Sequence, residues 1–234
     1  MKIELNKIYN GDCLDLIKEL PDECVDAVIT DPPYSNSFTH NGNASTTDDL
    51  NICKPFFREL LKEIKRVLKP NGVVYWFCDW RSYPFYHYLF SEILPPKNML
   101  VWDKINGPGS YYNFSHELIV FAAKGNFCFG ANAVFKEAAF CSGAKVSDGE
   151  KVHPTQKPIK VISKLILDST KEGALILDCF AGSCTTAVSA IINKRNFIMF
   201  ELQEKYCEIG QKRIDDIGLS LPFEIKEIEK TKLF

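Results

Sequence analysis

No run of membrane-spanning length occurs in the 234 residues, and no CxxC pair occurs among the nine cysteines. An odd number of thiols without paired spacing argues against a disulfide frame or a zinc site and for reduced cysteines. The four histidines do not repeat at ligand spacing, so no metal is expected. The opening "MKIELNKIYNGD" lacks the charged-then-apolar order of a secretory leader. A cytoplasmic protein without membrane contact is therefore expected. Repeats and low-complexity tracts are missing too. Charge decides little, because a net −2 is compatible with a local basic face for nucleic acid.

What is present is a chain 46% apolar, enough to bury the core of one domain. Nearly continuous apolar runs read as strands covered on both faces: "DAVITD" (26–31), "GVVYWFC" (72–78), "NMLVW" (98–102), "ELIVFAA" (117–123), "ALILDCF" (174–180) and "NFIMFEL" (196–202). "KIYN" (7–10) is a weaker seventh. Helical periodicity fits 12–20, 54–69, 158–170, 184–194 and 203–217, with "KPNG" (69–72) ending the second of these. This alternation predicts an α/β fold, an open and mostly parallel sheet wrapped by helices. Residues 35–50 read as a polar loop, 124–151 show no clear period, and 218–234 read as a late-packing tail.

Open sheets of this kind bind ligands at the carboxyl ends of their strands. In "LILDCFAGSCTTA" (175–187) a buried strand ends at Asp178, Gly182 permits a tight turn, and a helix follows. The next strand ends at Glu201, where an acid can accept from both hydroxyls of a ribose. A plain strand–turn–helix explains the glycine equally, so an adenosine-type cofactor and a bare turn both stand at this point. In "VITDPPYSNSF" (28–38) a strand runs into Asp31, Pro32, Pro33 and Tyr34. Asp-Pro-Pro would serve any turn, but a turn does not require the tyrosine. Carboxylate, fixed carbonyl and aromatic ring together suit a flat ring bearing an exocyclic amine.

These stretches resemble the S-adenosylmethionine-dependent amino-methyltransferases of DNA. "DPPY" (31–34) is similar to their catalytic motif and "DCFAGSCTT" (178–186) to their cofactor motif. The catalytic motif comes first, as in the permuted beta class, and "HPTQKPIKVISKLI" (153–166) precedes the cofactor strand. The resemblance covers about residues 8–214. It implies a single Rossmann-like methyltransferase domain over 1–234: about seven strands with one antiparallel, and helices on both faces. The catalytic half is expected at 8–123 and the cofactor-loop half at 153–217, with reduced target-recognition loops in 81–151.

By the same match, Asp31, Pro32, Pro33 and Tyr34 are the expected catalytic residues. Asp12 and Cys13 would meet the adenine end of S-adenosylmethionine, Glu201 would hold its ribose, and Leu202 would also bind the cofactor. Thr155, Gln156 and Lys157, with Asp178, Phe180, Ala181, Gly182, Ser183, Cys184 and Thr185, would surround its methionine end. Lys157 would pair with the cofactor carboxylate or cap the following helix. The family usually has glycine where Cys184 stands. Since a β-carbon disfavours the left-handed conformation, a changed backbone is expected there.

The implied activity is site-specific methylation of adenine N6 in double-stranded DNA, of the restriction–modification kind, on a base flipped from the helix. Cytosine N4 methylation and a catalytically inactive DNA-binding relative are the alternatives. Lys145, Lys151, Lys157, Lys160 and Lys164 are candidate phosphate contacts, as are Tyr111, Tyr112 and Asn113 for DNA generally, whereas 82–90 reads as core. A homodimer is compatible with so short a chain.

Overall fold

The computed structural model describes residues 3–33, 50–107, 111–126, 131–137 and 156–218. Tyr34, Thr155, Lys145, Lys151, residues 35–49 of the expected polar loop and the tail from 219 lie outside the described residues.

Eight strands form one sheet in the order β1-β8-β7-β2-β3-β5-β4-β6. They are β1 Lys7–Asn10, β2 Val25–Thr30, β3 Leu68–Cys78, β4 Pro96–Asp103, β5 His116–Ala123, β6 Val134–Lys136, β7 Leu175–Asp178 and β8 Asn196–Glu201. All neighbours pair in parallel except β5, which runs antiparallel to both β3 and β4. The mostly parallel sheet with one reversed strand is as expected, and β6 is an addition. At three residues on the edge, β6 is too short for periodicity to reveal.

The helices cover both faces. Helix α1 (Cys13–Leu16), α2 (Lys54–Val67) and α3 (Tyr83–Ile93) belong to one core layer, which includes Leu60, Ile64, Trp76 and Tyr86. Helices α4 (Ile159–Ser169), α5 (Thr185–Ile192) and α6 (Glu204–Gly218) pack on the other, around Ile162, Ala187, Phe197 and Met199. Helix α2 buries Phe57, Leu60, Leu61, Ile64 and Val67, the periodic stripe seen in the sequence. Each such side chain contributes about 1.5–3 kcal/mol on leaving water.

Two expectations shift. The expected helix over 12–20 is one short turn of α-helix continued by a 3₁₀ turn at Ile17–Glu19. "KPNG" does not separate α2 from its strand but opens β3, which begins at Leu68. Neighbours hold it in the sheet: Lys69 reaches Asp26, and the Gly72 carbonyl accepts from Lys124. A register shift between Val25 and Ala27 absorbs the irregularity. One face of segment 82–90 is core, with Tyr86, Leu89 and Phe90 buried, while Pro84, His87 and Tyr88 are exposed.

The chain leaves β2 through α2 towards β3, and leaves β7 through α5 towards β8. Strands β2 and β7 are adjacent and their connections diverge to opposite faces. That is a topological switch point, where a crevice opens beyond the strand ends.

Candidate active site

The crevice is real. Its wall includes Asp31, Pro32 and Pro33 after β2, Gln156 and Lys157 before α4, Asp178 to Ser183 and Thr185 after β7, and Glu201 after β8 (Cys179 and Cys184 excepted). Most of the residues expected from the two motifs therefore face one cleft.

Asp178 stitches the floor together. Its Oδ1 accepts from Thr30 Oγ1 at 2.8 Å and from the Phe180 amide at 3.0 Å, and its Oδ2 accepts from Thr186 Oγ1 at 2.7 Å. These bonds join β2, β7 and α5, spanning 148 residues between Thr30 and Asp178. Burial pushes the carboxyl up to about 6, against the three donors that favour its charged form.

Glu201 fixes the glycine turn. Its Oε2 accepts from the Gly182 amide at 2.8 Å and its Oε1 from the Gln203 amide at 2.8 Å. Gly182 sits at φ 52, a conformation that suits a residue without a β-carbon. Arg213 of α6 donates to the Ser183 carbonyl and braces the same loop from behind.

Cys184 departs from the expectation drawn from its side chain. The backbone adopts the left-handed conformation, φ 59 and ψ 35, which a β-carbon disfavours. The surroundings accommodate the strain, because α6 presents Gly210 at the contact. A β-carbon on Gly210 would stand 2.4 Å from the Cys184 sulfur. The thiol is fully buried, and burial holds its pKa far above the ordinary value, so it is chemically quiet.

At the other end of the cleft, Lys157 neither meets solvent nor caps α4. Its Nζ donates to Asp31 Oδ2 at 2.5 Å and lies 3.2 Å from Glu117 Oε2. The side chain is only 9% exposed. Burial pulls its pKa down, but Asp31 and Glu117 outweigh it and the net direction is up. It is thus not a phosphate contact, and Lys164 is likewise engaged with Asp168. Pro32 is buried, and Tyr86 of α3 donates its hydroxyl to the Pro33 carbonyl at 3.2 Å.

Four expected residues stand off the wall of the cleft. Asp12 caps α1 by accepting from the Leu14 amide at 2.8 Å. Cys13 is packed in the core with its thiol pushed up to about 12 by burial. Cys184 faces Gly210, and Leu202 is exposed. Conversely, Thr30, Tyr86, Glu117, Gln203 and Tyr206 escaped notice in the sequence. Only Thr30, one residue before the catalytic motif, carried a positional hint.

A surface lies on the same edge of the sheet. Arg81 sits 4.8 Å from the Trp80 ring and 5.5 Å from that of Phe114, joining the turn after β3 to the approach to β5. Tyr111 and Tyr112 beside it are 99% and 89% exposed. Among the described residues no cluster of three or more His, Cys, Asp or Glu could hold a metal, and no helix is long and apolar enough to cross a membrane.

A family model described as DNA methylase matches residues 25–212. Of curated proteins, the DNA adenine methyltransferase YhdJ of Escherichia coli K12 is 28% identical, over 98% of this chain and 89% of its own length. The type II methyltransferase M.HinfI of Haemophilus influenzae is 29% identical, over 91% and 69% respectively. Of solved structures, the M1.HpyAVI–SAM complex superposes with a TM-score of 0.67 at 24% identity, covering 89% of this chain and 98% of that one.

Proposed function

Since the chain belongs to the DNA methylase family over residues 25–212, we propose that it transfers a methyl group from S-adenosylmethionine to N6 of an adenine flipped out of duplex DNA. The observation that carries this reading is the sharing of one cleft by Asp31 and by the Gly182–Glu201 turn. The name of YhdJ favours DNA as substrate and adenine as the base.

The residues present fit the cofactor. A glycine turn lets a ligand approach the backbone, Glu201 offers a carboxylate to ribose hydroxyls, and Gln156, Ser183 and Thr185 supply polar groups for an amino-acid end. S-adenosylmethionine supplies an electrophilic methyl group on a sulfonium.

Adenine N6 is a weak nucleophile because its lone pair is delocalised into the ring. Asp31 and the Pro32 carbonyl would each accept one N–H, localising the lone pair on nitrogen. The carboxylate also stabilises the positive charge that develops there. Holding amine and methyl group in line contributes further, since orientation alone is worth roughly 7–11 kcal/mol. No covalent enzyme intermediate is required. Extruding the base costs on the order of a few kcal/mol. Tyr34, one residue past the rigid prolines, is placed in sequence to offset part of this by stacking, worth about 1–3 kcal/mol.

Arg81, Trp80, Phe114, Tyr111 and Tyr112 would meet the DNA around the extruded base. We read the chain as one catalytic domain acting in the cytoplasm, with a homodimer as its assembly. Sedimentation velocity tests the dimer.

The central experiment is transfer of tritium from labelled cofactor into unmethylated duplex DNA, followed by digestion to nucleosides. Label in N6-methyldeoxyadenosine is expected. Label in N4-methyldeoxycytidine would reassign the base, and DNA binding without label would mark an inactive relative. Asp31→Ala should abolish transfer while cofactor affinity, measured by calorimetry, stays within about twofold. Joint loss of both would contradict the division of roles.

A further inference from the structure

Buried lysines are uncommon, and one clamped between two carboxylates beside a reactive acid asks for an explanation. Three separate elements bring the groups together. Asp31 follows β2, Lys157 precedes α4, and Glu117 is the second residue of β5. Because β5 alone is antiparallel, its amino end reaches the same edge of the sheet as the carboxyl end of β2. The Phe77 ring lies 5.3 Å from the ammonium, and Lys104 approaches the other oxygen of Glu117 at 3.4 Å.

An ammonium donating to Asp31 is the same kind of partner as the exocyclic amine of the substrate: nitrogen–hydrogen donors against one carboxylate. Were Lys157 paired with Asp31 alone, entry of the base would have to break a buried ion pair and strand a charge, a costly event. Glu117 removes that obstacle. Its Oε2 already lies 3.2 Å from the ammonium, so a small rotation moves Lys157 from one carboxylate to the other without exposing it to an apolar wall. Lys104, 3.4 Å from the other oxygen of Glu117, holds that carboxylate in place to receive it.

We propose, building on the amine-methylating function above, that Lys157 is a placeholder for the target amine. It keeps Asp31 oriented while the base is absent, and passes to Glu117 when the amine arrives. Lys157 and Glu117 are positioning residues: they act on the substrate through Asp31. The exchange moves donors between acceptors and forms no covalent bond. Every group keeps its charge.

The test is steady-state transfer of labelled methyl groups to unmethylated duplex DNA by the full-length chain. Wild type, Glu117→Gln, Lys157→Met and the double variant are compared, with melting temperature and cofactor Kd measured in parallel. Glu117→Gln weakens the parking site, so the KM for DNA should rise by about tenfold or more. Its cofactor Kd should stay within about twofold. Lys157→Met removes the competing donor: kcat should fall as Asp31 loses its orientation, but the KM for DNA should not rise. In the double variant there is no lysine left to park, so its KM should return to that of Lys157→Met.

An unchanged KM in Glu117→Gln would overturn the proposal. So would a double variant whose KM is as poor as that of Glu117→Gln, since a merely structural ion pair gives that result together with lowered melting. Absence of label in DNA with wild-type protein would overturn the function itself and this inference with it. Label with wild type but no KM effect would overturn the inference alone.

Discussion

At the scale of single residues, Cys184 and Gly210 form one unit. A residue with a β-carbon in the left-handed region costs roughly 1–2 kcal/mol. Here the sulfur fills the space that α6 leaves by having glycine. Gly210→Ala should therefore overpack the contact and destabilise by about 1–3 kcal/mol, read as a lowered melting temperature. Combining it with Cys184→Gly should recover most of the loss, because the methyl then occupies the emptied sulfur site. A double variant no better than Gly210→Ala would show that the clash lies elsewhere.

Asp178 supplies a second residue-scale test. Its folded pKa, raised to about 6, lies above the ordinary carboxyl value of 3.8, so the folded protein holds this proton to higher pH than the unfolded chain. The contribution to stability is fully present below the unfolded pKa and declines as pH rises through about 6. The change is at most about 3 kcal/mol, at about 1.4 kcal/mol per pH unit. Asp178→Asn should flatten this part of the stability profile. Denaturant melts of the cofactor-free protein between about pH 4 and pH 8 give the difference between the two proteins directly.

Among elements, α3 does more than fill the core. Tyr86 packs against Phe57 and Trp76 at ring-centroid distances of 5.4 and 5.2 Å while its hydroxyl reaches the Pro33 carbonyl. Phe180, from the cofactor turn, tilts against Phe57 and faces Trp76 edge-on, with centroids 6.5 and 6.3 Å away. One aromatic cluster therefore touches both motifs. Tyr86→Phe keeps the packing and removes only the hydrogen bond, worth about 1 kcal/mol net. Its kcat should fall by about fivefold while its melting temperature stays close to wild type. A loss as large as that of Tyr86→Ala would assign the effect to the ring.

The whole molecule has no large charge excess with which to attract DNA, its formal charge being −2. Binding must then come from local groups on the edge of the sheet that carries Asp31. Arg81, near two aromatic rings and paired with Asp79 at 3.4 Å, is one described cation on that edge. Arg81→Ala should weaken DNA binding and reduce the slope of log affinity against log salt by about 1. Fluorescence anisotropy over a salt series measures both, and cofactor affinity serves as the control. An unchanged slope would place the phosphate contacts elsewhere.

The proline turn after β2, the glycine turn after β7 and the strand–helix alternation were legible in the linear order of residues. Each is encoded locally, by a double proline, a glycine between a buried strand and a helix, and apolar runs of strand length. What no local pattern encodes is which distant residues share a surface. Glu117 lies inside an apolar strand and reads as an end charge until the antiparallel direction of β5 carries it to the edge occupied by Asp31. Lys157 reads as a partner for the cofactor carboxylate or as a helix cap until Asp31 and Glu117 close around it. Cys184 could be judged only against glycine in the abstract, since Gly210 comes 26 positions later and meets it through packing alone. Short-range chemistry is written along the chain. Electrostatic partnership is decided by tertiary structure, because charges 40 to 126 residues apart interact strongly only when folding removes the water between them.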